Sequence, residues 1–351
     1  MKSRVLAIML AAVMAAGTLA GCGAKKEEQT QNRQTQENTQ QAQAQTETDA
    51  PAEQTQEQPQ EDAQAQQEQA QQEQAQAQQE PMTARSLTTQ AAENVSKIKS
   101  VTLTQDVTVD ATIGALFFTS DLNFTSHTDC EYVKDPGITH QVSTTHYSFA
   151  DEVEDENVES YYVKNGDSHI LYNKSGDDGW TRESTQDMGY SADDLLNTSV
   201  FKDISTGTID AQLADTTVQV NGREAYLITF MLEGEEVEIA LREIVKELGE
   251  ATGGIGSPDF TGVKIPATMY IYKDTVLPAK LEIDGTEVGR VLLESIVREQ
   301  LGEDISSTLN MSEIIEMHSI SIVTNVTGYD QIDRIDIPQE VLDAREVSGD
   351  K

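Results

Sequence analysis

Apolar and hydroxylated residues alternate along much of this chain with a period of two. From Val101 to Ile113 the odd positions read Val, Leu, Gln, Val, Val, Ala and Ile, while Thr102, Thr104, Asp106, Thr108, Asp110 and Thr112 fill the even ones. Neighbouring side chains on a strand point to opposite faces, so the pattern predicts a half-buried strand far longer than the usual run of about 5–6 residues. After a turn expected near Gly114, the apolar series continues through Leu116, Phe118, Leu122 and Phe124, and Cys130 falls on the same face. A second alternating stretch carries Val263, Ile265, Ala267, Met269 and Ile271. It resumes beyond Lys273-Asp274-Thr275 with Leu277, Ala279, Leu281 and Ile283. These are antiparallel strands with one apolar and one wet face.

Turn chemistry agrees. Asn165-Gly166 separates Tyr161-Tyr162-Val163 from His169-Ile170-Leu171-Tyr172, and Asn221-Gly222 separates Val218 and Val220 from Ala225-Tyr226-Leu227-Ile228. Both dipeptides supply the positive φ values that tight hairpins need. The run Ala225–Leu232 is apolar at both parities, so part of the sheet is expected to be covered on both sides. Pro266 and Pro278 are expected to face each other near a sheet edge, because proline cannot donate to a ladder. The acidic run Asp151–Glu159 reads as a solvated loop. Apolar stripes at helical spacing predict helices over 235–248 and 287–301, with weaker ones over 84–98 and 191–203; Ser191 is a candidate cap for the last. Long one-faced strands must lay that face on something, and long strands twist. The expected fold class is therefore α+β: a long curved antiparallel β-sheet with amphipathic helices on its concave face.

The first 21 residues form a leader. Lys2 and Arg4 precede an Ala-rich apolar run, and Leu19-Ala20-Gly21-Cys22 follows. Small residues before a cysteine match a lipobox, and the apolar run is too short to span a bilayer. Residues 1–21 are expected to be removed and Cys22 to be acylated, holding the protein on the extracytoplasmic face of the cell membrane. Residues 22–82 are then the lipidated cysteine and a Gln/Glu/Ala-rich tether with too little apolar surface to fold. About 60 such residues span roughly 40–46 Å as a random coil. Residues 83–351 are the folded part.

Charge narrows the partners. The net charge of −37 becomes −39 once Lys2 and Arg4 are removed. So acidic a chain repels nucleic acid and anionic surfaces, which excludes a nucleic-acid role. The two cysteines, Cys22 and Cys130, cannot build a disulfide framework if the first carries lipid. Cys130 reads as a small core residue. The five histidines, His140 and His146 among them, are scattered over strand-like segments and define no metal-ligand set. Gly253-Gly254-Ile255-Gly256 lacks the strand-before, helix-after context of a nucleotide loop, and no nucleophile elbow or zinc-protease motif occurs. No catalytic residue, cofactor or metal is expected. Trp180 reads as an anchor that packs onto the sheet after a turn.

Several short runs in order carry a family likeness: Ser160-Tyr161-Tyr162-Val163-Lys164-Asn165-Gly166, then Tyr172-Asn173-Lys174 with Gly179-Trp180. After them come Val220-Asn221-Gly222-Arg223-Glu224-Ala225-Tyr226, Tyr329-Asp330 and Ile335-Asp336-Ile337-Pro338. Together with the lipobox and tether, they resemble the LolA/LppX-like superfamily, specifically DUF6612-type surface lipoproteins of Gram-positive bacteria. The resemblance implies a curved antiparallel half-barrel with helices against its concave face, no catalytic residues, and an apolar or lipid ligand held there. The apolar positions that would face such a ligand are Val107, Val109, Phe118, Phe124, Met269, Ile271 and Leu281. Two functions follow. One is a membrane-anchored lipoprotein that binds a hydrophobic or amphiphilic molecule between sheet and helices. The other is an interaction module with a filled core, which meets a protein or cell-wall partner.

Overall fold

The computed structural model describes residues 82–115, 118–166, 168–185, 191–233, 258–301 and 310–347. The leader, Cys22, the tether, Leu116, the glycine run at 253–256 and the helix expected over 235–248 lie outside them.

The alternating stretch becomes β1 (Ser100–Ala115), paired with β2 (Phe118–Val133) in an unbroken register from Ser100↔Val133 to Ala115↔Phe118. The turn expected near Gly114 falls later. Gly114 still pairs with Thr119, so this glycine extends the strand instead of ending it. A meander continues through β3 (Ile138–Phe149), β4 (Glu152–Asn165), β5 (Ser168–Ser175) and β6 (Thr181–Thr185). After a helical stretch come β7 (Ala211–Leu213), β8 (Val218–Val220), β9 (Arg223–Glu233), β10 (Lys264–Tyr272) and β11 (Pro278–Asp284). Near the C-terminus run β12 (Ile315–Tyr329) and β13 (Arg345–Glu346). All thirteen join one open sheet in the order β13-β6-β5-β4-β3-β2-β1-β12-β11-β10-β9-β7, with β8 paired to β9. Each pairing is antiparallel except β13 with β6. The long strand β12 lies beside β1, closing the gap between the two meanders.

The hairpins match their turn residues. Asn221 and Gly222 have φ of 51° and 75° between the partners Val220 and Arg223, the left-handed pair that a two-residue hairpin requires. Asn165 pairs with Ser168 across the Gly166 turn.

Two sequence expectations fail here. Pro266 and Pro278 are not register partners: Pro266 sits opposite Met231 and Pro278 opposite Ile271. Nor is β10 an edge, since β9 and β11 flank it. Pairing with β11 begins only at Ala267, and Pro278 is the first residue of its strand, so neither proline interrupts a ladder. The acidic run is a strand and not a loop. Glu152–Glu159 is the first half of β4, in register with β3 from Phe149↔Glu152 to Val142↔Glu159. β5 reaches only Val158–Asn165, so Glu152–Asn157 borders no strand on that side among the described residues. Exposed on both faces, it lacks the alternation that would have marked it.

Six helices occur among the described residues: α1 (Ala84–Val95), α2 (Ala192–Leu195), α3 (Thr198–Thr206), α4 (Thr286–Leu301), α5 (Met311–Ile314) and α6 (Gln339–Leu342). Thr83 caps α1 and Ser191 caps α2, each in a capping box with the residue three positions on. The single helix expected over 191–203 is split by Asn197, which takes a left-handed φ of 58°. One face of the sheet carries the odd residues of β1 and the even ones of β2, and the helices α1, α3 and α4 pack on it. Gly289 lets α4 approach β12, since a Cβ there would collide with Ile320. Among the described residues, the opposite face is covered in two places. At β4–β5, Val341 of α6 and Ala344 pack with Tyr161 and Tyr172. Trp180 joins them, its ring 5.7 Å from that of Tyr161. At the β8–β9 hairpin, Val220 and Ala225 pack with Tyr272 and Ala279. The two-sided cover expected for Ala225–Leu232 is thus real at its start, whereas Met231 is exposed.

Candidate ligand-facing surface

The helix-covered face is built by parity. Register places Val107, Ser126, Thr145 and Ile322 in one row across four strands, and Val109, Phe124 and Tyr147 in the next. Two apolar compartments result. The first lies under α1 and α3, where Leu87, Ala91, Phe201 and Ile204 meet Leu103, Cys130 and Ile228 of the sheet. The second lies under α4, where Leu293 meets Ala111, Leu122, Ile320 and Ile322.

A belt of hydroxyl and amide side chains on the same face runs between them. Gln105 Nε2 donates to Thr324 Oγ1 at 3.3 Å, Thr145 Oγ1 to Ser126 Oγ at 3.3 Å, and Thr128 and Ser143 share a bond of 2.8 Å. Ser160 Oγ donates to Asn173 Oδ1 at 2.8 Å, carrying the belt onto β5. Ser126, Thr145 and Thr324 are buried. Paired in this way, buried hydroxyls avoid the cost of lost hydration. The sequence held one sign of the belt: Gln105, the single polar entry in the odd series of β1.

The seven positions expected to face a ligand do not converge. Met269, Ile271 and Leu281 join the first compartment. Val107, Val109 and Phe124 join the second. Phe118 sits at the far end of β2, opposite Ala115, and its side chain lies outside the described residues. Phe124, Met269 and Ile271 are at most 1% exposed. Each such side chain contributes about 1.5–3 kcal/mol by leaving water.

Two polar groups inside these compartments are shifted by burial. It pushes the Cys130 thiol up to about 12, against a weaker opposing hydrogen bond from Gln141, so this cysteine is inert at neutral pH. The Tyr147 phenol, in the second compartment, is also raised, first by burial and then by the carboxylates of Glu152 and Glu154. Its Oη is buried without a hydrogen-bond partner. Sequence reading missed Tyr147, because its place beside Phe124 depends on the β2–β3 register.

The remaining polar clusters lie elsewhere. His127, His140 and His146 each hold their own acid on the opposite face: Asp106 at 2.7 Å, Glu159 at 3.0 Å and Asp155 at 2.7 Å. Among the described residues, no group of three or more His, Cys, Asp or Glu is arranged to hold a metal ion. An open depression of about 530 Å³ lies between α1 and α3. Its lining includes Thr89, Ala92, Glu93, Asp193, Asp194 and Lys202. No helix among the described residues is long and apolar enough to cross a membrane.

A family described as being of unknown function, DUF6612, matches residues 83–286. The chain belongs to this family. The DUF6612 match takes in β1–β11 and ends at the first residue of α4, so the roof of the second compartment and strand β12 lie beyond it. Among solved structures, the chain is similar to the lipoprotein LppX of Mycobacterium tuberculosis. The identity is 15%, the coverage 72% of this chain and 98% of that one, and the TM-score 0.34. It is also similar to LprF of Mycobacterium bovis, with 9% identity, coverage of 73% and 95%, and a TM-score of 0.34. A DUF1329 family protein of Desulfovibrio piger is similar at 10% identity, with coverage of 71% and 92% and a TM-score of 0.20. No curated protein matches the chain.

Proposed function

We propose that this DUF6612 protein is a lipoprotein anchored through Cys22 to the extracytoplasmic face of the cell membrane. A tether over 22–82 carries a non-enzymatic binding domain over 83–351, which shelters an apolar or amphiphilic molecule between sheet and helices. The observation that carries this reading is a belt of hydrogen-bonded side chains set between two apolar compartments of one sheet face, which touch at Ile283. A uniformly greasy face serves folding alone. An apolar face with a few placed polar groups is the composition of ligand sites. Mass spectrometry of organic extracts from the purified protein tests it, with a stoichiometric lipid or other amphiphile as the expected result. Clean extracts would reject it.

One observation favours the second reading, an interaction module with a filled core. Phe124, Met269 and Ile271 are closed off by the protein's own helices and strands. Under that reading the wet face, rich in threonine and acidic residues, meets a protein or cell-wall partner. Extracts without ligand, together with a partner captured by the wet face, would establish it.

A further inference from the structure

The compartment beneath α4 contains a polar atom that its surroundings leave unused. Tyr147, 4% exposed, sits on β3 directly opposite Phe124 of β2. It packs in the cluster of Val107, Val109 and Ile322. Its hydroxyl is buried and has no hydrogen-bond partner among the described residues. Phenylalanine would fill the same space without the desolvation penalty of an unpaired hydroxyl. What tyrosine adds at this position is a hydrogen-bond donor.

The charge beside it limits what that donor serves. Glu154 of β4 is the register partner of Tyr147, and Glu152 lies two positions away on the same strand face; both are exposed. Burial of the ring, and after it these carboxylates, keep the phenol protonated. An anionic group brought to the hydroxyl would be repelled by these two carboxylates in a partly desolvated setting, where screening is weak. An uncharged carbonyl meets no such penalty.

We propose that Tyr147 is a specificity-determining residue of the α4 compartment. It donates a hydrogen bond to the uncharged ester carbonyl of an amphiphile whose acyl chain lies against Val109, Phe124 and Ile322. This rests on the reading of the sheet as a ligand shelter and adds the class of head group that it accepts.

The test uses the full-length chain with Cys22→Ser, which removes the acylation site. Calorimetric titration at pH 8 compares 1-monodecanoylglycerol with decanoate: one chain length, one neutral ester and one carboxylate. The ester is expected to bind roughly tenfold more tightly. Tyr147→Phe is expected to weaken the ester by about five- to tenfold, the worth of one hydrogen bond, without weakening decanoate or lowering the thermal midpoint. Glu154→Gln is expected to strengthen decanoate alone. If both ligands bind and Tyr147→Phe changes neither affinity, the role of Tyr147 is overturned while the shelter stands. A lowered thermal midpoint in Tyr147→Phe makes the hydroxyl a structural group and overturns it too. Should neither ligand bind the parent protein, the shelter and this inference fall together.

Discussion

Val107 and Thr108 are neighbours in the chain and opposites in the fold. Val107 is 2% exposed, packed in the compartment under α4, whereas Thr108 faces solvent between Asp106 and Asp110. A lysine at Val107 buries an unpaired charge, so Val107→Lys is expected to cost more than about 4 kcal/mol and to unfold the domain. Thr108→Lys gains acidic neighbours and is expected to stay within about 0.5 kcal/mol of the parent in urea melts. Cys130 offers a second readout. With its thiol pushed up to about 12, it should resist a thiol-reactive dye at pH 8 and react once urea unfolds the chain. His127 titrates in the opposite sense to a buried group. Its hydrogen bond to Asp106 raises its pKa above 6.5 against the loss of hydration on burial, and the charges of Asp106 and Asp129 add to the rise. The folded state therefore binds the proton more tightly than the unfolded chain. Its contribution to stability is full below pH 6.5 and disappears as pH rises through the folded value. Because His127 is half exposed, the effect is modest. NMR titration should place the imidazole above 6.5 in the parent and return it toward 6.5 in Asp106→Asn.

Among elements, the strands were legible wherever one face was buried. Burial selects apolar residues at every second position, and Val101–Ile113 displays that selection at every odd position but Gln105. The Asn221-Gly222 hairpin was legible because its backbone demands residues that tolerate positive φ. The first half of β4 was hidden for the converse reason: with six exposed residues in a row, nothing selects an alternation. Its strand state is imposed by pairing with β3, a long-range fact. Apart from Gln105, the belt was hidden in the same way, as was Tyr147, since the place of each on the inner face depends on its cross-strand neighbour. The charge on that β4 segment has a use of its own. Glu152, Glu154, Asp155 and Glu156 lie along backbone that no described strand pairs on the β5 side, and like charges discourage another chain from adding there. Replacing Glu152, Glu154 and Glu156 by threonine should produce concentration-dependent self-association, measured by light scattering, with the thermal midpoint little changed.

For the molecule as a whole, the sequence announced an antiparallel sheet with helices on one side, but not its order of strands. Nothing in the periodicity of β1 or β12 says that the two lie side by side. Charge acts at this scale as well. A chain of net charge −37 is repelled by anionic bilayers, so the membrane attachment proposed above would have to come from acylation of Cys22 and not from the surface. Cys22→Ser is expected to move the protein from the membrane fraction to the soluble one, and cell fractionation checks it. The wet face should then show no affinity for anionic vesicles at any salt concentration.

The neighbourhood of β1 and β12 also sets a timetable. The backbone amide of Ser100 and the carboxylate of Asp330 that it meets are 230 positions apart. A ribosome delivers β1 early and β12 near the end. For most of synthesis, the 16-residue ribbon β1 therefore has one flank without its mate. Pairing so remote in sequence is slow to form, because the intervening chain must first be drawn together. Until then, the nascent polypeptide depends on whatever keeps unfinished chains apart.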